Sequence, residues 1–168
     1  MIKFITSLNQ DLYIKYGSNF IDSWSTYCSG DVDLTVYCEA GNDWVSESHK
    51  ASQIKFDNLE SKELTKFRTV FGKFIQAQGG EIVRHSSQKD AFKIIYNYRF
   101  DALRFSFKAY SLLQELSKPT AHYSHLCWID ADVICRKPFS KDLLMPVLPQ
   151  GEVVASFLGR SAFPPSNP

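Results

Sequence analysis

The feature that most constrains this 168-residue chain is the way its hydrophobic period switches between two values. Lys3 to Leu8 is a short, apolar, β-rich run. From Asp11 to Cys28, Leu12, Tyr16, Phe20 and Trp24 recur at helical spacing. Val32 to Cys38 then alternates with period two and reads as a second strand, closed by a turn at Gly41-Asn42-Asp43. Ile54-Lys55-Phe56 predicts a short third strand. Leu64, Phe67, Phe71, Phe74 and Ile75 form the apolar stripe of a helix ended by Gly79-Gly80. Phe100 to Leu116 predicts a long helix that stops near Pro119, His125 to Ile129 a short strand, and Val153 to Leu158 another. Strands alternating with helices predict an α/β domain with a mostly parallel sheet flanked by helices. The expected organisation is one domain over residues 1–160 and an extended or disordered proline-rich tail over 161–168.

Composition narrows the function classes. Charged residues make up 22% of the chain, and the formal net charge is +1. That balance argues against disorder, and against bulk nucleic acid or an anionic membrane as the main partner, so any affinity for phosphate has to be local. The four cysteines, Cys28, Cys38, Cys127 and Cys135, have no zinc-ligand spacing. Cys38 and Cys127 lie in apolar runs, where a free thiol behaves as a small hydrophobe. A reduced, cytoplasmic protein is the simple expectation, with one disulfide left open. The opening run Met1-Ile-Lys-Phe-Ile-Thr6 is too short for a signal-peptide core, and no run approaches the ~20 apolar residues that span a bilayer.

The most informative stretch is His125-Leu-Cys-Trp-Ile-Asp130-Ala-Asp132, an apolar strand that ends in two carboxylates. Ligands of α/β sheets collect at the carboxyl ends of strands. Ionised carboxylates are too costly to bury unpaired, whereas around a hard divalent cation they have a use. Mg²⁺ and Mn²⁺ take oxygen ligands, often one or two carboxylates plus substrate phosphates. The alternative is a solvated strand-to-loop turn, in which Asp is common.

A second constellation lies on the long helix. At ~100° per residue, Asp101, Arg104, Lys108, Ser111 and Glu115 share a stripe about 80° wide, and almost all the rest of the circumference is apolar. Such a helix is expected to be largely buried. The stripe reads either as a solvent-facing seam with an Asp101–Arg104 pair worth a few tenths of a kcal/mol, or as the lining of a cleft in which Arg104 and Lys108 meet phosphates.

Together these pieces resemble nucleotide-sugar-dependent glycosyltransferases of the A-type, Rossmann-like fold, in the families that carry Asp-x-x-Arg on a helix upstream of an Asp-x-Asp strand. The matching residues are Asp101-Ala-Leu-Arg104, Trp128-Ile-Asp130-Ala-Asp132 and the basic-Pro step Arg136-Lys137-Pro138. The first strand, Phe4 to Leu8, also looks like the family's nucleoside-contacting strand. The resemblance implies a metal-dependent enzyme that moves a sugar from a nucleoside diphosphate, by default UDP, to a glycan, protein or small-molecule acceptor. It implies Mn²⁺ or Mg²⁺ held by Asp132, and Asp130 on the ribose or on the metal through water. It also implies Arg104 on the diphosphate or sugar, Asp101 orienting the sugar or Arg104, and Thr6 and Ser7 near the nucleoside. Lys108 joins from the stripe alone.

There are departures from the family pattern. Ser117-Lys-Pro-Thr-Ala-His122 stands where many such families have Gly-Gly. The family fold also ordinarily continues past Arg160, so a further half carrying the acceptor site is expected, and with it weak donor binding and little transfer by this chain alone. Two rival readings stand beside this one: a module that holds a nucleotide-sugar without transferring it, and a phosphohydrolase with an Asp nucleophile in Asp130-Ala-Asp132-Val-Ile134.

Overall fold

A computed structural model describes residues 1–28, 30–50, 52–84, 92–119 and 122–151. The expected strand from Val153 to Leu158 and the tail over 161–168 lie outside the described residues.

The chain opens with β1 (Ile2–Leu8) and enters a continuous helical rod: α1 (Gln10–Leu12), a π-helical turn (Tyr13–Gly17) and α2 (Ser18–Tyr27). Asn9 caps the rod, its side chain accepting from the Leu12 N–H at 2.9 Å. β2 (Val32–Cys38), α3 (Glu47–Lys50) and β3 (Lys55–Asn58) follow, then α4 (Lys62–Phe71), whose cap Ser61 accepts from the Leu64 N–H. β4 (Gly80–Arg84) and β5 (Phe92–Tyr96) pair antiparallel as a separate two-stranded sheet. α5 (Ala102–Leu116), β6 (His125–Trp128) and α6 (Lys141–Leu144) complete the described chain.

The main sheet is parallel throughout, in the order β3-β2-β1-β6. The expected α/β class with a parallel sheet is therefore observed. Strand order reverses at β1, which lies between β2 and β6, the last strand among the described residues. Such a switch point opens a crevice at the carboxyl ends of the two flanking strands.

Side chains alternate across the sheet, and the two faces differ sharply. One face presents Ile2, Phe4, Leu8, Val32, Leu34, Val36 and Cys38 to Phe20, Ile21 and Trp24 of α2, and together these form the core. Phe4 stands edge-on to Trp24 at 5.2 Å. The other face carries Lys3, Asp33, Thr35, Tyr37, Lys55 and Asp57 beside the apolar Ile5, Leu126 and Trp128, and α5 lies across it.

This polar face explains a departure from the sequence expectation. α5 turns its narrow polar stripe toward the sheet and leaves much of its apolar surface outside. Ser111 and Glu115 of the stripe are buried, whereas Phe105, Leu113 and Leu116 are exposed; Arg104, nearer the start of the helix, stays exposed. Glu115 accepts from the Tyr37 hydroxyl at 2.5 Å and from Lys118 Nζ at 2.7 Å, and Lys118 also reaches Asp57 at 2.8 Å. Glu115 and Lys118 find their hydrogen-bond partners on this face of the sheet, while the buried hydroxyls of Ser111 and Thr35 have none among the described residues.

Two further differences concern the middle of the chain. The helix expected up to Gly79-Gly80 breaks at Phe71, and a 3-10 turn (Ile75–Gln78) follows. Gly79 sits at φ +78, where a Cβ would meet the Tyr96 ring at 2.8 Å, so the start of the hairpin requires glycine there. The β4–β5 hairpin itself has no counterpart in the sequence expectation.

Candidate functional site

Four strand ends and the first turns of α5 meet at the carboxyl edge of the sheet. The route out of β6 shapes the site. Ile129 N–H donates to the Ile5 carbonyl, which keeps the chain beside β1 for one residue past the strand. Ala131 then turns into the core, 6% exposed, and its two neighbours, Asp130 and Asp132, face outward. A small residue between two aspartates is therefore the local reason why both carboxylates are presented rather than one.

Asp130 is held in place. Its Oδ1 accepts from Trp128 Nε1 at 2.6 Å and lies 3.8 Å from Lys108 Nζ. Lys108 in turn sits 4.9 Å from the centroid of the Trp128 ring, a cation–π contact. The strand, its terminal carboxylate and the helix lysine thus form one local cluster.

Arg104 lies one turn nearer the start of α5. Its guanidinium interacts electrostatically with the hydroxyls of Tyr96 and Tyr16. Tyr16 belongs to the π-helical turn and also feels the charge of Asp132; burial, and then that charge, push its hydroxyl pKa up against the pull of Arg104. π-Turns recur at functional sites because they re-aim a side chain without breaking the helix. Here the turn brings a phenol between the cation on α5 and the acid after β6.

Asp101 acts on Arg104 through the backbone. It caps α5: Oδ1 accepts from the Arg104 backbone N–H at 2.9 Å, and Oδ2 accepts from the Tyr96 hydroxyl at 2.9 Å. It therefore positions Arg104 through the helix terminus and not through an Asp–Arg ion pair.

Ser7 and Thr6 separate, as period two requires. Ser7 faces the α5 side, and its hydroxyl meets the Glu39 carboxylate. Thr6 points into the opposite face, wholly buried, its hydroxyl without a partner among the described residues. β1 thus turns Ser7, and not Thr6, toward the side on which α5 lies.

Glu39 was missed by the sequence reading. It follows β2 directly, its N–H donating to the Leu8 carbonyl. Asn9 Nδ2 donates to its Oε2 at 3.5 Å. Burial raises the pKa of its carboxyl, against the opposing pull of Ser7, Arg68, Asn9 and Arg104. Arg68 arrives from α4, stacked over the Phe107 ring at 4.6 Å. A lone acid after a strand and a lone Arg on an exposed helix carry no motif. The usable signal for Glu39 was its position at the end of a cleanly alternating strand.

The edge therefore assembles three cations (Arg68, Arg104, Lys108) and three carboxylates (Glu39, Asp130, Asp132) around the switch point. It is an open shelf, with Arg104, Asp130 and Asp132 all exposed. Two surface concavities lie elsewhere, at the amino ends of the strands. One, of about 150 Å³, is lined by Met1, Lys3 and Lys118 among others; the second, of about 370 Å³, by Val32, Gly30 and Ile54 among others.

Among the described residues, no group of three or more His, Cys, Asp or Glu side chains could enclose a metal ion. An all-protein metal cage is therefore not built here. No helix among the described residues is long and apolar enough to cross a membrane.

Comparison with known proteins finds no matching family model, no matching curated protein and no matching solved structure.

Proposed function

We propose that this chain binds a nucleoside-diphosphate-sugar over the carboxyl edge of its parallel sheet and passes the sugar to an acceptor. The observation that carries the proposal is the meeting of Ser7, Arg104, Lys108, Asp130 and Asp132 at the β1–β6 switch point, the crevice in which open α/β sheets hold nucleotides. Residues far apart in sequence converge there with the charges that a diphosphate needs.

The division of labour follows from position. Ser7 and Glu39 lie together at the ends of β1 and β2, where they suit the hydroxyls of a ribose. Arg104, braced by Tyr16 and Tyr96, and Lys108, braced by Trp128, meet the phosphates. Asp132 and Asp130 would hold Mg²⁺ or Mn²⁺ against the same phosphates, and the bound ion would supply Lewis acidity toward the departing diphosphate. In the transfer, the bond between the anomeric carbon and the β-phosphate oxygen breaks and a bond to the acceptor oxygen forms. The acceptor hydroxyl loses its proton. Negative charge grows on the leaving diphosphate, and Arg104 and Lys108 stabilise it where it grows.

The openness of the shelf favours a second reading, in which the donor is held and not transferred. Transfer needs a dry, closed site, and Arg104, Asp130 and Asp132 are exposed. Thermal denaturation with UDP and Mn²⁺, against UDP with a chelator, tests the binding both readings share. Ligand at about a hundred times its Kd adds about 2.7 kcal/mol to the native state. Equal stabilisation with chelator removes the metal role of Asp130 and Asp132, and no stabilisation by any nucleoside diphosphate sinks the proposal. Release of UDP from UDP-sugars with a panel of acceptors then separates transfer from holding.

A further inference from the structure

The segment after Asp132 runs back along α2 instead of leaving the sheet. The Cys135 N–H donates to Ser23 Oγ at 3.0 Å, and the Phe139 N–H donates to the Tyr27 carbonyl at 3.0 Å. Phe139 forms an isolated parallel bridge with Cys28, and its ring stands edge-on to Trp24 at 5.3 Å. The backbone is therefore fixed against α2 at Cys135 and again four residues beyond it. Cys28 and Cys135 both pack on the rim of the core, half-buried, and Cys135 is near enough to raise the pKa of the Cys28 thiol. The other two thiols cannot make the same approach to each other. Cys38 lies on β2 and Cys127 on β6, with β1 between them. Two strand spacings alone put about 9–10 Å between the strands, and Cys38 pairs with Leu8 while Cys127 pairs with Phe4, so the two thiols lie well beyond disulfide reach.

We propose that Cys28 and Cys135 form a redox pair that closes into a disulfide, fastening the loop that carries Asp130 and Asp132 to the end of α2. This inference stands independently of the donor chemistry. The oxidant is a small-molecule disulfide such as glutathione disulfide. Cys135, as thiolate, attacks one sulfur of the oxidant and releases one glutathione thiolate. Cys28 then loses its proton, attacks the Cys135 sulfur of the mixed disulfide and releases the second. Two protein thiols become one disulfide, one glutathione disulfide becomes two thiols, and two electrons pass to the oxidant. The order follows from the surroundings of Cys28, whose thiol is pushed well up first by burial and then by the charge of Cys135. Once Cys135 is capped by glutathione that charge is gone, while burial still holds the Cys28 thiol up, so the attack of Cys28 is the slower of the two steps.

The bond would close a loop of about a hundred residues, large enough to raise the melting temperature by on the order of 10 °C. The test equilibrates the full chain in glutathione buffers from reducing to oxidising, alkylates free thiols in denaturant and maps the peptides. The expected result is a single cross-link between the peptides containing Cys28 and Cys135, with Cys38 and Cys127 alkylated. The melting temperature rises with oxidation and returns on reduction. Cys135→Ser and, separately, Cys28→Ala should abolish both the cross-link and the shift while melting like the reduced parent. Three results overturn the proposal: both cysteines alkylated in the oxidising buffer, cross-links that instead involve Cys38, Cys127 or a second molecule, or a Cys28–Cys135 bond that leaves the melting temperature unchanged.

Discussion

Replacing Lys118 with Met removes the cation that lies between α5 and the polar face of the sheet. Lys118 Nζ contacts Glu115 at 2.7 Å and Asp57 at 2.8 Å, with side-chain exposures of 27%, 5% and 22% for the Lys, Glu and Asp. Breaking a fully buried pair costs ~3–5 kcal/mol, whereas an exposed pair is worth ~0–1. The intermediate exposures here place the loss at about 2–3 kcal/mol, and the melting temperature should fall by roughly 5–10 °C. The pH dependence separates this account from simple loss of packing. In the folded protein burial raises Glu115, but hydrogen bonds from Lys118 and Tyr37 outweigh it and hold its carboxyl below the usual value; Asp57 is lowered for the same kind of reason by Lys118 and Lys55. A carboxyl depressed on folding contributes stability that is fully present above its unfolded pKa and is lost as pH falls through the folded one. In the variant, burial acts on Glu115 without the cation, so its pKa rises and protonation relieves the strain as pH falls. The gap between parent and variant is therefore widest at pH 7 and narrows toward pH 4. Adding Glu115→Gln to the variant should recover part of the loss at pH 7. Urea unfolding followed by circular dichroism at both pH values measures all of this. A loss below ~0.5 kcal/mol, or a gap of constant size, would refute the claim that ionic pairing orients α5.

Arg104→Ala should weaken UDP binding by ~10–100-fold, the worth of one charge-assisted hydrogen bond, while moving the melting temperature by no more than ~2 °C; titration calorimetry reads the first, and an unfolded variant would show that Arg104 serves the fold. Asp132→Asn should abolish the Mn²⁺-dependent part of the stabilisation by UDP, and a retained metal increment would remove Asp132 from the site. Glu39→Gln should stabilise the unliganded protein at neutral pH. A carboxyl raised by burial makes folding less favourable as pH climbs through its folded pKa, so the difference in melting temperature should vanish by about pH 4, below the ordinary pKa of Glu; a destabilised variant at pH 7 would count against it.

Much of the parallel sheet was legible because its strands are fully or half buried and carry their period openly. Val32–Cys38 is observed with the bounds its alternation predicted. The grouping of Asp101, Arg104, Lys108, Ser111 and Glu115 on one side of a helix was legible too. Its direction was not. Hydrophobic patterning assumes that the apolar side turns inward, and that rule fails where the surface beneath is itself polar. Lys3, Asp33, Tyr37 and Asp57 share a face only once the register of three strands is known. The same gap hid the choice between Thr6 and Ser7: period two says that one of them faces the crevice, and only the sheet says which. The β4–β5 hairpin escaped because Phe92 to Tyr96 is exposed at every position and has no buried face to impose a period.

The wide turn at Tyr13–Gly17 leaves a trace in chain length. The Ser18 N–H reaches back to the Tyr13 carbonyl, so this turn holds one residue more than an α-helical turn would. Gly17 lets the turn lie against β1, since a Cβ there would meet Leu8 Cδ1 at 2.7 Å. Deleting one residue between Tyr13 and Gly17 would restore an ordinary helix and leave Phe20, Ile21 and Trp24 in phase with the core. Only the phenol opposite Arg104 would be lost. A relative with an unbroken helix would thus be one residue shorter between Asn9 and Phe20, and would have to brace its arginine from another direction.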